Sequence, residues 1–308
     1  MASNTYILCP GQGAQAVGMG KEVAQKSDRA RDLFERAGRV LGFDLAAVCS
    51  NGPEDRLNQT DVSQPALYVT GIASFIAAKE TGKLQENDVA TWAGLSLGEY
   101  TALHLAGAFG FEDGLRLVAA RGRYMQEAAV AVPSGMVAIM GADEGAVLGL
   151  CEQAGAGEVL VPANFNAPGQ IVVSGAKGAC ERVLSAAEGK GFKAVALKVA
   201  GAFHSPLMQR AADRMRADLD KVQFQPPRQA VYSNVTGRPH GKDAASIKEK
   251  LVQQIVEPVR WEQTMQALVA EAPTGRFVEL APGRTLAGLA KRINRRLPVE
   301  GVEGLLGA

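Results

Sequence analysis

The sequence holds little with which to bind metals. It has only three histidines and four cysteines. Cys9, Cys49, Cys151 and Cys180 lie far apart and form no CxxC pair, which argues against a zinc site. Scattered thiols in a chain of this length fit a reducing cytosol, with each expected as a small buried apolar residue. Aromatic residues are scarce, at 6%. The formal charges balance to +1, so bulk charge suggests no binding to nucleic acid or to a membrane surface. No apolar run reaches the roughly 18 residues of a membrane span. The opening stretch, MASNTYILCPGQG, lacks a basic segment followed by a long apolar one. It reads as a first strand rather than a secretory signal, and the expected location is cytoplasmic.

What is present points to an α/β protein. Glycine is abundant, at 35 residues, and short apolar runs alternate with Ala-rich amphipathic stretches. Strands are expected over 6–9, 89–93, 229–233 and 276–280. Helices are expected over 28–41, 65–78 (with Pro65 in the first turn), 97–108, 111–128, 206–222, 246–255, 261–270 and 285–295. The character changes near Pro133. From there the pattern is strand 136–140, helix 144–154, strand 159–162, strand 170–174, helix 179–189 and strand 194–199. That β-α-β-β-α-β order is the ferredoxin-like motif. The expectation is a discontinuous large α/β-hydrolase-like domain with a parallel sheet core, over 1–131 and 200–308. A small ferredoxin-like subdomain is inserted at 132–199.

Gly94-Leu95-Ser96-Leu97-Gly98 fits G-x-S-x-G. Glycines on either side of a serine permit a very sharp strand-to-helix turn that thrusts the hydroxyl outward. The amide of Leu97 would then stand at a helix N-terminus, where it can stabilise an oxyanion. The pattern is short, and an ordinary glycine-rich turn also satisfies it. An apolar strand before it and an amphipathic helix after it favour the nucleophile reading.

The histidines compete for the role of base. His104 lies eight residues beyond Ser96, roughly 12 Å along the same helix, too far for a direct hydrogen bond. His240 sits in Arg238-Pro239-His240-Gly241, which reads as a solvated turn. His204, in Gly201-Ala202-Phe203-His204-Ser205-Pro206, follows an apolar strand and precedes a proline able to open a helix. It is the best base by elimination. No acid completes a triad. Asp113 and Asp143 read as helix caps, and any acceptor, including a backbone carbonyl, can orient the imidazole.

Taken together, several motifs are far more specific than the elbow. They are Cys9-Pro10-Gly11-Gln12-Gly13-Ala14-Gln15, Gln64-Pro65-Ala66-Leu67, GLSLGEY at 94–100, Arg121 and NFNAPGQ at 164–170. GAFHSP at 201–206, Gln254 with Pro258-Val259, and Glu279-Leu280-Ala281-Pro282-Gly283 follow in the same order. Across essentially its whole length the chain resembles the malonyl-CoA:acyl carrier protein transacylases, close to the acyltransferase domains of polyketide and fatty acid synthases. Many members carry His before the nucleophile, where this chain has Leu95.

The resemblance implies a ping-pong transfer in which Ser96 takes the malonyl group and His204 accepts its proton. It implies backbone amides of Gln12 and Leu97 as oxyanion donors. The backbone carbonyl near Gln254 would orient His204 in place of a triad acid. It implies that Arg121 grips the free malonyl carboxylate, a task suited to a guanidinium fork. On residues alone Arg116 and Arg123 stand equally near, and only the family position selects Arg121. Phe203 resembles the malonyl-type pattern, where bulk would crowd an α-methyl branch. By itself it reads as a packed aromatic.

The implied substrates are malonyl-CoA and an acyl carrier protein bearing phosphopantetheine, with no cofactor and a monomeric enzyme. Lys193 falls about where the family places a basic contact for CoA or carrier. Lys190 and Lys198 lie near it, and Lys291, Arg292, Arg295 and Arg296 form a second basic cluster. Both groups also read as solvated faces. An α/β-hydrolase-type esterase would share the elbow, but its histidine usually lies near the C-terminus. A nucleotide site at Gly11-Gln12-Gly13 lacks the third glycine and any GK[ST].

Overall fold

The computed structural model describes residues 4–306. The outermost ends of the expected large domain, 1–3 and 307–308, lie outside them. Two separate sheets carry the fold. The strands are β1 (Thr5–Cys9), β2 (Val89–Gly94), β3 (Ser134–Met140), β4 (Leu160–Ala167) and β5 (Gln170–Ala176). They continue with β6 (Lys193–Ala196), β7 (Ala230–Ser233), β8 (Arg238–Pro239), β9 (Arg276–Glu279) and β10 (Val299–Gly301).

The larger sheet is six-stranded, in the order β10-β9-β1-β2-β7-β8. Its neighbours run parallel except for β8, which turns back antiparallel on β7. Every residue of β1 is buried, as expected of a continuous apolar run covered on both faces. Ile7 and Cys9 face one core and Tyr6 and Leu8 the other, the period-two alternation of a strand. This topology brings the carboxyl ends of β1, β2 and β7 side by side. Loops at such ends are where open parallel sheets place their ligands.

Two long helices, Thr60–Glu80 and Phe111–Ala131, pack together beside this sheet. Gly122 allows the approach. A Cβ there would lie 2.5 Å from the Thr60 carbonyl oxygen. The first of these helices starts earlier than the sequence suggested, at Thr60, so Pro65 falls inside it. The ring lacks an amide to donate back to Asp61, a loss the helix tolerates within its early turns under tertiary packing. The helix after the elbow ends at Leu105 rather than 108, where Gly107 adopts φ 85°. Three short helices, Lys21–Lys26, Leu45–Asn51 and Glu54–Leu57, give too few turns for periodicity to reveal them.

The second sheet is four-stranded and antiparallel, in the order β4-β5-β3-β6. Helices Glu144–Gly155 and Lys177–Gly189 cover one of its faces, around Val137, Ile139, Leu150, Val173 and Val183. Met136 and Val172, on the opposite face, join the large core. A main-chain bridge ties the sheets' surroundings together. Phe165 N donates to Val259 O at 2.9 Å, and Val259 N donates to Ala163 O at 2.8 Å. Strand β4 runs on to Ala167, so NFNAPGQ spans the β4–β5 hairpin, with Gly169 at φ 68°. Asp143 caps its helix by accepting from Ala146 N, whereas Asp113 lies inside its helix and pairs with Arg116. The four cysteines are buried and free. Among the described residues no helix is long and apolar enough to cross a membrane.

Candidate active site

Strand β2 ends at Gly94, and the next helix, Gly98–Leu105, begins four residues later, which forces an abrupt turn. A Cβ on Gly94 would sit 1.9 Å from the Gly98 carbonyl carbon, and one on Gly98 would sit 2.0 Å from the Cys9 carbonyl oxygen. No other residue fits either position. Ser96, between them, is held at φ 52°, a conformation L-residues rarely adopt and that marks functional sites when the surroundings enforce it. Its amide donates to Asn234 Oδ1 at 2.6 Å, and Asn234 Nδ2 returns a bond to Gly94 O at 2.6 Å.

His204 shares this conformation, at φ 56°. Its Nε2 lies 2.9 Å from Ser96 Oγ, and its Nδ1 lies 2.6 Å from the main-chain oxygen of Gln254. A carbonyl can only accept, so Nδ1 carries the hydrogen and Nε2 presents a lone pair to the serine hydroxyl. Burial, and then the nearby Arg121 charge, push the His204 pKa down to about 3. The imidazole is therefore neutral at ordinary pH, the form a general base requires. No carboxylate takes part in this chain of contacts.

Arg121 is 1% exposed. It donates to Gln64 Oε1 at 2.7 Å, to Gln254 Oε1 at 3.0 Å and to Ser96 Oγ at 3.1 Å. These acceptors are all neutral, and among the described residues no carboxylate lies within ion-pair distance of it. Burial lowers its pKa from the ordinary arginine value. Arg116 and Arg123, the competing arginines, are exposed and pair with surface acids.

Leu97 is buried at the start of the helix after the elbow. Gln12 follows β1 in a loop pressed onto the elbow. A Cβ on neighbouring Gly11 would meet Leu95 O at 2.2 Å, and Leu95 N donates to Cys9 O at 3.1 Å. Leu95 packs against the cluster that holds Tyr6 and Leu8. Phe203 is buried in the large core beside His204. Lys193 is exposed on β6, an edge strand of the small sheet. Ser96, His204, Arg121 and Gln254 thus converge directly, Gln12 and Leu97 flank them, and Lys193 stands on a different sheet.

Comparison with known proteins places the whole chain in one family. The chain matches the acyl transferase domain family over residues 5–302. It is 40% identical to a malonyl CoA-acyl carrier protein transacylase of Salmonella typhimurium, over 93% of this chain and 92% of that one. The chain belongs to the malonyl-CoA:acyl carrier protein transacylase family. The family's structure of the Coxiella burnetii transacylase superposes with a TM-score of 0.94 at 38% identity, covering 99% of this chain and 96% of that one. A malonyl-transacylase solved in complex with a holo type II polyketide acyl-carrier protein gives a TM-score of 0.92 at 37% identity, over 99% of this chain and 98% of that one.

Three contributors escaped the sequence reading. His240 is not a solvated turn residue. Its side chain is 1% exposed, and Nε2 lies 2.5 Å from Glu99 Oε1. The Arg-Pro-His-Gly string is hydrophilic, but β8 folds it back onto β7 and so over the buried acid. Asn234 and Gln64 were also missed as site residues. Asn234 stands at the end of β7, and only that position, at the carboxyl end of a parallel strand, could have flagged it. His104 is half-buried against Tyr68 and Phe111, its Nδ1 3.0 Å from Phe109 O.

Proposed function

We propose that this chain moves a malonyl group from the thiol of CoA to the phosphopantetheine thiol of an acyl carrier protein, by way of a malonyl ester on Ser96. Ser96 Oγ attacks the thioester carbonyl while its proton passes to His204 Nε2. The amides of Gln12 and Leu97 hold the oxyanion. The C–S bond breaks and CoA leaves, taking the proton from His204. The carrier thiol then gives its proton to His204 and attacks the ester, and the C–O bond breaks as Ser96 is reprotonated. The Gln254 carbonyl keeps the imidazole in the required tautomer throughout. The reaction needs no cofactor.

The observation that carries this reading is Arg121, a buried guanidinium within reach of the nucleophile whose bonds all go to neutral acceptors. A malonyl carboxylate supplies the missing anion, and an acetyl group would leave the charge unpaired. Phe203 limits branching at the α-carbon. Lys193 serves as a basic contact for CoA or carrier, both of them anionic.

A discontinuous large unit, 1–131 and 200–308, resembles an α/β hydrolase in carrying its serine at a strand–turn–helix bend of a parallel sheet. The inserted unit at 132–199 has the strand order and connections of the ferredoxin-like motif. All the converging groups come from one chain, which suits a monomer, and buried free thiols suit a cytoplasmic protein. The deciding experiment is intact-mass analysis after mixing with malonyl-CoA, followed by addition of holo carrier protein. The malonyl mass should appear on this chain and then move to the carrier. Hydrolysis without transfer, or no adduct, would overturn the proposal.

A further inference from the structure

Behind the dyad lies a buried carboxylate that the proposed reaction leaves without a role. Glu99, in the first turn after the elbow, is fully buried. Its Oε2 accepts from the Asn234 amide at 3.0 Å and from Gln254 Nε2 at 2.7 Å. Those two residues hold the reacting groups. Asn234 Oδ1 takes the Ser96 amide at 2.6 Å. Gln254 Nε2 also donates to Ser96 O at 2.9 Å, its main-chain oxygen takes His204 Nδ1 at 2.6 Å, and its Oε1 takes Arg121 at 3.0 Å. Glu99 is thus one residue removed from the nucleophile, the base and the guanidinium together.

The other oxygen, Oε1, meets His240 Nε2 at 2.5 Å. His240 is tied to the sheet edge by its own amide, which donates to Val231 O at 2.8 Å. With Nε2 hydrogen-bearing, it satisfies the acceptor that Asn234 and Gln254 leave open. A buried carboxylate deprived of such a partner carries an uncompensated penalty. The relief open to Glu99 is rotation, which surrenders its bonds to Asn234 or Gln254.

We propose that His240 is a positioning residue. It fixes the rotamer of Glu99, and Glu99 in turn sets Gln254 and Asn234, and through them Ser96, His204 and Arg121. The inference deepens the function proposed above and rests on it only for the identity of the acyl group.

The test therefore uses two readouts. The first is the rate at which a fluorophosphonate labels Ser96, per folded molecule, which is independent of any acyl donor. The second is the ratio of malonyl-CoA to acetyl-CoA uptake. His240→Ala should label about 10–100-fold more slowly, the scale expected of a misplaced reacting group, and should lose malonyl preference. His240→Gln, whose amide can reach Glu99, should restore most of the rate, and the shorter His240→Asn should not. Labelling of His240→Ala within twofold of the unmodified chain would overturn the role, whatever its thermal stability. Should the alanine variant fail to fold, equal rates for the Gln and Asn variants would overturn it instead. Absence of malonyl uptake by the unmodified chain would count against the transfer reaction, while the labelling rates would still decide the part played by His240.

Discussion

Ser96 and His204 both occupy the left-handed region of backbone space, at φ 52° and 56°, and their side chains meet at 2.9 Å. Each conformation is unfavourable by itself, by about 1–3 kcal/mol. Each places a side chain where a relaxed backbone would not. Ser96→Ala should therefore abolish the malonyl adduct while leaving the fold intact, since alanine tolerates the same space. A mass spectrum of the variant that still shows the adduct would refute Ser96 as nucleophile.

Arg121→Ala should cut kcat/KM for malonyl-CoA by about 100-fold, about 2.7 kcal/mol, within the range for truncating one side of a buried charge pair. Acetyl-CoA should lose far less, because it brings no carboxylate. Competition between the two thioesters is the measurement, and an unchanged ratio would remove Arg121 from substrate recognition.

His204, with its pKa pushed down to about 3, should give acylation no acid limb near pH 6.5. Single-turnover rates from pH 5 to 8 test this. Stability should respond differently. Between pH 6.5 and 3 the unfolded chain binds the proton that folded His204 refuses, so this group's contribution is present above pH 6.5 and is lost as the pH falls. The slope is about 1.4 kcal/mol per pH unit. Glu279 works in the opposite sense. Its carboxyl accepts from the amides of Leu286 and Ala287, and burial lifts its pKa to about 7. Its contribution is present below its unfolded value and fades as the pH rises through about 7. Comparing urea midpoints of the unmodified chain and His204→Asn across pH 4 to 8 isolates the histidine. Identical slopes in the two proteins would refute the depressed value.

Gly94→Ala should destabilise the fold by about 3 kcal/mol and slow labelling of Ser96, because the new methyl meets backbone rather than a movable side chain. Leu95→Ala removes only part of an apolar contact and should act mildly on both. Chemical denaturation and fluorophosphonate labelling of the pair settle the order. Equal effects would mean that the bend does not depend on that glycine.

The chemistry at Ser96 was legible because its constraints are local. A glycine on each side of a serine, between an apolar strand and an amphipathic helix, describes the bend almost completely. The helix over 28–41 was legible for a similar reason. An apolar stripe, the Ser27 cap that accepts from Ala30 N, and Gly42 at its end mark both limits. His204 was found by elimination among few candidates, but its strained backbone was not foreseen. Pro65 misplaced a helix start, because an early proline reads as a first turn unless packing carries the helix back to Thr60. His240 was misread because hydrophilic residues around a turn give no sign that the chain folds back over a buried acid.

By itself the sequence determined most of the longer elements, the nucleophile's bend and, through its ordered motifs, the family, since each is written in neighbouring residues or in their order. Only the tertiary structure decided the rest. Parallel pairing of β1, β2 and β7 brings together loops distant in the chain. Packing of Phe111–Ala131 against Thr60–Glu80 buries Arg121 among neutral acceptors rather than its exposed neighbours Arg116 and Arg123. A backbone carbonyl, from Gln254, orients the base. Hydrogen bonds between groups more than a hundred residues apart leave no periodic trace in a sequence, because their geometry exists only once the sheet has formed.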